Sequence, residues 1–141
     1  MVLVDTSVLL DIATRDAVWF PWSSARLAEV LKRGEAAINP VIYTELIPAY
    51  PTTEELDAVL VPPQKFWRLP LPYAAGAPAA RAFAAYRKAG GVKTAPLPDF
   101  FIGAHAEAES LTLLTRDAAR YRTYFPKVTL LCPQPEDGPP S

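Results

Sequence analysis

The chain has 141 residues, half of them hydrophobic, and its 14 Lys and Arg nearly balance its 15 Asp and Glu, for a net charge of −1. That length predicts one domain with a core of its own. The composition excludes a disordered chain, a disulfide scaffold, since Cys132 is the one cysteine, and a strongly basic protein that coats polyanions. Met1–Leu10 is apolar, but Asp5 interrupts it and Asp11 closes it. A signal peptide or spanning helix needs a longer run, so no membrane association and a cytoplasmic location are expected.

Val2–Val4 is apolar on both faces and predicts a buried strand ending at Asp5. Asp5-Thr6-Ser7 offers capping chemistry for a helix through Val8-Leu9-Leu10. Residues 15–22 read as a loop. Ser23 or Ser24 then caps a helix with Leu27, Val30 and Leu31 on one face, and Gly34 stops it. Ala36–Ile38 predicts a short strand. Asn39-Pro40 starts a helix, with Asn as cap and Pro at the first helical position; that helix carries Val41, Ile42, Glu45 and Leu46. Thr52-Thr53-Glu54-Glu55 holds a capping box for a helix to about Leu60.

Pro62-Pro63 separates that helix from an expected edge strand over Phe66–Leu69. Residues 73–89 are Ala-rich and helical, with Phe83 and Tyr86 on one face. Pro78 is expected to break or kink this helix, and Gly90-Gly91 to end it. A loop over Val92–Pro98 precedes a helix that begins at Asp99 and carries Phe100, Phe101, Ile102, Ala104 and Ala106. Strands over 111–114 and 128–131 flank a helix near 118–124. Apolar strands alternating with helices predict a three-layer α/β/α fold with a central, mostly parallel sheet. It forms a single domain over residues 1–132. Residues 133–141, with four prolines, read as a disordered tail.

Ligands of a parallel α/β sheet sit beyond the carboxyl ends of its strands. Asp5 lies at such an end, and Asp117 follows another. Asp99 opens a helix after a loop and can reach the same edge. Glu45 sits among Val41, Ile42, Leu46 and Ile47, a poor place for an acid whose only task is solubility. If the four converge, each pair ~5 Å apart repels by roughly 3 kcal/mol at an effective dielectric of ~20. A cation is then required, and all-oxygen ligation favours Mg²⁺ or Mn²⁺. Such ions activate water against phosphodiesters.

Four segments carry a resemblance: Val4-Asp5-Thr6-Ser7, Pro40-Val41-Ile42-Tyr43-Thr44-Glu45-Leu46, Pro98–Ala106 and Leu114-Thr115-Arg116-Asp117. In order and spacing they resemble PIN-domain nucleases over roughly Met1–Leu131, and within these the VapC-like ribonuclease toxins of toxin–antitoxin pairs. The resemblance implies a PIN-like sheet flanked by helices, a Mg²⁺ or Mn²⁺ site and cleavage of RNA. It also implies a homodimer and a small antitoxin as partner. Asp5, Glu45, Asp99 and Asp117 match the family's acids, and Thr6, Ser7 and Thr115 its supporting hydroxyls.

Arg81, Arg87, Lys88 and Lys93 concentrate charge near one helix end, and Arg116, Arg120 and Arg122 beside Asp117. Arg116, Arg87 and Lys93 are the candidate contacts to RNA phosphates, which position a strand without reading it. Asp11 is expected as a solvated helix residue and His105 as a packed or hydrogen-bonded one. Trp19, Phe20 and Trp22 are expected to pack or to meet a dimer or antitoxin partner. Three other readings stand beside the toxin. One is a module that binds RNA or protein without cutting. Another is a PIN nuclease of RNA processing. The third is a phosphatase using Asp5 as nucleophile, which ordinarily wants a second Asp where Ser7 stands.

Overall fold

The computed structural model describes residues 1–60, 66–94 and 97–138. Five parallel strands, β1 Val2–Val4, β2 Ala36–Ile38, β3 Trp67–Arg68, β4 Thr112–Leu114 and β5 Leu130–Leu131, lie in the order β3-β2-β1-β4-β5. β1 is central: Leu3 pairs with Ala37 on one side and Leu113 on the other. Covered on both faces, it has no use for a polar residue, which is why Val2-Leu3-Val4 does not alternate.

The helices are α1 Thr6–Ala13, α2 Phe20–Lys32, α3 Pro40–Leu46, α4 Thr53–Leu60, α5 Gly76–Lys88, α6 Pro98–Ala108 and α7 Ala119–Tyr124. Right-handed crossovers that step in opposite directions along a sheet fall on opposite faces. Accordingly α1 packs on α2 and α3, while α5 packs on α6 and α7. The strand order reverses between β1 and β4, and that switch point is where open α/β sheets take their ligands. α3 also meets α6, joining the two helical layers there. The three-layer α/β/α fold with a parallel sheet is the one expected. Among the described residues no helix is long and apolar enough to cross a membrane.

Local chemistry explains several helix ends. Asn39 Oδ1 accepts the Ile42 N–H at 3.0 Å, capping α3, and its amide donates to His105 Nδ1 at 3.0 Å. One buried side chain thus fixes the start of α3 and ties it to α6. Gly34 (φ +69°) and Gly90 (φ +97°) follow α2 and α5 in the left-handed region, each within a pair of bonds back to the last helical carbonyls. Thr52 Oγ1 accepts the Glu55 N–H at 3.1 Å ahead of α4.

Other ends differ from expectation. α2 starts at Phe20, with Pro21 in its first turn, so Ser23 does not cap it. α6 starts at Pro98, one residue before Asp99, and no side chain caps it. Pro78 neither breaks nor kinks a helix. α5 begins at Gly76, so Pro78 lies in the first turn, where its missing N–H has no helical acceptor to lose. In the tail, Pro135–Asp137 form one 3₁₀ turn, with Gln134 N–H donating to Asp137 Oδ2. Pro62-Pro63, part of the 92–98 loop and the last three tail residues lie outside the described residues.

α6 approaches the end of α7 closely at Gly103, where an added Cβ would run into the ring of Phe125, the residue that follows α7. Phe125 is fully buried beside Phe100 and has nowhere to go. Gly103→Ala is therefore expected to lower stability by about 1–3 kcal/mol through overpacking, despite the better helix propensity of Ala. The urea midpoint checks it; an unchanged or raised midpoint contradicts the close approach.

Candidate active site

Asp5 leaves β1 in extended backbone at the cap position of α1, yet its side chain makes no capping bond. Its carboxylate is instead held by three donors. Ser7 Oγ donates to Oδ2 at 2.9 Å, Thr115 Oγ1 to Oδ2 at 2.8 Å and Tyr121 OH to Oδ1 at 3.1 Å. The side chain is buried, and burial raises its pKa while the three hydrogen bonds pull it back; the balance lies above the ordinary carboxylate value. The Tyr121 hydroxyl, buried against this charge, is pushed well above its usual range and stays a donor.

The same hydroxyls organise the loop after β4. Thr115 Oγ1 accepts the Asp117 N–H at 3.0 Å, and Ser7 Oγ accepts the Arg116 N–H at 3.3 Å. Asp117 itself is exposed. Glu45 comes from the last turn of α3, where its Oε1 accepts from Thr6 Oγ1 at 2.7 Å. Burial first, and the Asp5 charge as well, raise its pKa against that bond. Asp99, in the first turn of α6, is raised to about 6. Burial contributes most, then the Asp5 charge, with Glu45 and Asp117 adding to it and Arg120 opposing. Arg120 Nη1 stands 3.6 Å from Asp99 Oδ2.

The four expected acids thus share one edge of the sheet, and the charges of Asp5, Glu45 and Asp117 all reach Asp99. Thr6, Ser7 and Thr115 each hold an acid of the set. The donor chemistry is hard oxygen throughout, suited to a divalent cation. The acids are nevertheless not gathered into a ready-made ligand shell: among the described residues no three His, Cys, Asp or Glu cluster closely enough to hold a metal. Asp99, Asp117, Arg120, Thr123, Tyr86 and Tyr124 line an open cleft of about 430 Å³ at this edge.

The basic candidates are placed differently from expectation. Arg116 is turned away into a two-pronged pair, Nε to Asp11 Oδ2 at 3.1 Å and Nη2 to Oδ1 at 2.9 Å. Asp11 is not the solvated residue expected: it is 2% exposed and also accepts from Ser23 Oγ at 2.7 Å. Its apolar neighbours in α1 are the reason, since that stretch of the helix is covered by α2. Arg87 donates to the Lys93 carbonyl at 2.7 Å, and among the described residues neither side chain pairs with an acid of the set. Arg120, not Arg116, is the arginine that faces it. Tyr121 is the site residue that sequence reasoning misses; its one signal is an aromatic four residues past Asp117. His105 is fully buried, as expected, and burial lowers its pKa.

Tyr121→Phe removes one donor from Asp5 and leaves packing intact. Loss of a pKa-lowering bond raises the Asp5 pKa further, so more of it is protonated at a given pH. An activity dependent on ionised Asp5 is expected to fall several-fold, with its acidic limb moved to higher pH. The loss of one buried bond lowers stability by about 1 kcal/mol. A pH–rate profile of both proteins checks it; coincident acidic limbs contradict the role.

Known proteins resemble this chain in family and fold over most of its length. The PIN domain family matches residues 2–126. A solved structure of VapBC2 from Rickettsia felis, bound to a DNA fragment from its promoter, contains a chain similar in fold, with TM-score 0.71 and 17% identity over 95% of this chain and 100% of that one. DNA-bound VapBC from Salmonella typhimurium gives TM-score 0.67 and 17% identity over 93% and 96%. A toxin–antitoxin complex from Klebsiella pneumoniae gives 0.55 and 21% over 92% and 96%. No curated protein sequence matches the chain. With its family matched over most of its length, its parallel sheet in place and its acids at the switch point, the chain belongs to the PIN domain family.

Proposed function

We propose that this protein is a divalent-metal-dependent endoribonuclease acting in the cytoplasm, and the toxin of a toxin–antitoxin pair. The observation that supports it most is Asp99. It is a carboxylate lifted to about 6, first by burial and then by the charges of Asp5, Glu45 and Asp117, an excess of negative charge that a bound cation would relieve. In this reading Asp5, Asp99 and Asp117 hold Mg²⁺ or Mn²⁺, and Glu45 shares or orients it. A bound ion supplies Lewis acidity, lowering the pKa of water and balancing phosphate charge. Thr115 and Ser7 favour the ionised form of Asp5 and orient it. Thr6 holds Glu45 Oε1, leaving Oε2 for the water that attacks phosphorus. The water would give its proton to Glu45 as its oxygen bonds to phosphorus, the phosphorus–O3′ bond would break, and O3′ would take up a proton from solvent, giving a 5′-phosphate and a 3′-hydroxyl.

The partners proposed are an RNA substrate, a small antitoxin and a second copy of the chain. The toxin–antitoxin complexes among the similar folds support the antitoxin. A single domain over residues 1–132 fits the reach of the family match. One observation favours a second reading, a module that binds RNA without cutting: among the described residues the acids are not drawn together into a ligand set. Incubation of RNA with Mg²⁺, Mn²⁺ or EDTA separates the two. Cleavage is expected with either metal, with 5′-phosphate ends, and none with EDTA. RNA binding that persists without metal binding or cleavage supports the second reading.

A further inference from the structure

The cleft beside Asp99 and Asp117 has two unlike ends. One end is acidic. The other is an aromatic wall made by Tyr86 and Tyr124, and Arg120 lies between the two ends, 3.6 Å from Asp99 Oδ2. That wall is braced from behind. Tyr86 and Tyr124 each stand edge-on to the fully buried Phe100, with ring centroids 5.5 and 5.4 Å away, and lie 6.4 Å from each other. The Arg120 guanidinium sits 5.7 Å from the Phe100 ring centroid. The Tyr86 hydroxyl accepts the Lys93 N–H at 3.3 Å, which fixes the far edge of its ring. The two rings are half-buried, held in fixed orientation beside an arginine and inclined at 68° to each other, with Tyr86 also stacked on Phe83, so a base entering the cleft can stack on one of them and not on both.

Such a surface has no role in the acid chemistry described above; its inner side packs on the core beside Phe100, and its outer side lines the cleft. Aromatic and guanidinium planes beside a phosphate-handling site are how single-stranded RNA bases are held once they leave the stack. The cleft, at about 430 Å³, is within the range of small-ligand sites. We propose that the Tyr86–Tyr124 wall seats one unpaired base adjoining the phosphate that is cut, with Arg120 on a neighbouring phosphate. The substrate would then be an unpaired loop or single strand, because a base inside a duplex cannot enter. This rests on the nuclease reading above.

The test uses the full-length protein, with Ca²⁺ replacing Mg²⁺ to allow binding without cutting. The probes are a short single-stranded RNA, the same RNA with one abasic nucleotide at the cleavage point, and a duplex of the same sequence. Wild type is expected to bind the single strand best, with the abasic probe about tenfold weaker, in line with the energy of one base–aromatic stack. Tyr124→Leu should weaken the intact strand about tenfold and leave the abasic probe unchanged. Tyr124→Phe should bind both as wild type does, since the ring and not the hydroxyl is used. Thr123 is exposed at the cleft and supports no core packing. Thr123→Trp should therefore block the intact strand without unfolding the protein, and its melting curve shows whether it has.

Equal loss on the intact and abasic probes in Tyr124→Leu, with Thr123→Trp binding normally, overturns the base seat. So does preference for the duplex. Those results leave the nuclease reading standing, whereas wild type that neither binds nor cuts any RNA removes both.

Discussion

Asp99→Asn is expected to abolish cleavage while making the metal-free protein more stable. Removing even an outer partner of a metal site commonly costs 10–100-fold, so loss of a ligand should cost about 100-fold or more in rate. The stability change has the opposite sign because the folded protein holds this carboxyl above its ordinary value, at about 6. Ionising it therefore opposes folding. That penalty is absent below the unfolded value near 3.8, grows between there and about 6, and is complete above. For a fully buried carboxyl, a rise from 3.8 to about 6 would amount to roughly 3 kcal/mol. This side chain is 39% exposed, and solvent screening reduces the penalty to about 1 kcal/mol, or about 3 °C in Tm.

The variant should thus melt higher than wild type at pH 7 in EDTA, and the gap should close towards pH 4. Mg²⁺ should raise the Tm of wild type and not of the variant. A variant less stable than wild type at pH 7 would falsify the picture of crowded charge at Asp99. A variant that still cuts RNA would remove Asp99 from the site.

Arg116→Ala carries the largest expected loss of stability. It leaves Asp11, 2% exposed, with only Ser23 Oγ for a partner. Removing one member of a buried ion pair commonly lowers stability by about 3–5 kcal/mol, because the other charge is left without compensation. Arg116 is itself 31% exposed, which places the expectation near the lower end, about 3 kcal/mol. Arg116→Lys should recover only part of this, since an ammonium cannot reproduce the two-pronged contact. Asp11→Leu combined with Arg116→Leu should recover more than either single variant. Denaturant titration of wild type, the two single variants and the double variant gives the coupling directly. If Arg116→Ala loses under about 1 kcal/mol, the pair is a surface contact and Arg116 is free for phosphate after all.

The pair also bears on activity. Arg116 lies between Thr115, which holds Asp5, and Asp117, and its side chain anchors that loop to α1. Variants that keep the fold should therefore lose rate through displacement of Asp117. Arg116 acts here as a positioning residue.

The alternation of apolar strands and helices, the Asn39-Pro40 start and the four acids in order are all legible along the chain. They depend on neighbours within a few residues: side-chain periodicity, caps and turns. They are enough to indicate a parallel sheet, and the rule that its ligands gather at the carboxyl edge then places Asp5 and Asp117. What stays hidden is whatever depends on residues far apart in the chain. Asp11 looks solvated until α2 covers it and Arg116, 105 positions away, pairs with it. Arg116 looks like a phosphate contact for the same reason. Tyr121 has no local mark of its role, because its bond to Asp5 spans 116 positions. The charge balance shows the same division. Fifteen acids against fourteen bases suggest a protein indifferent to nucleic acid. Only the tertiary structure sets Asp5, Glu45, Asp99 and Asp117 along one edge, because burial and mutual repulsion act through space and not along the chain.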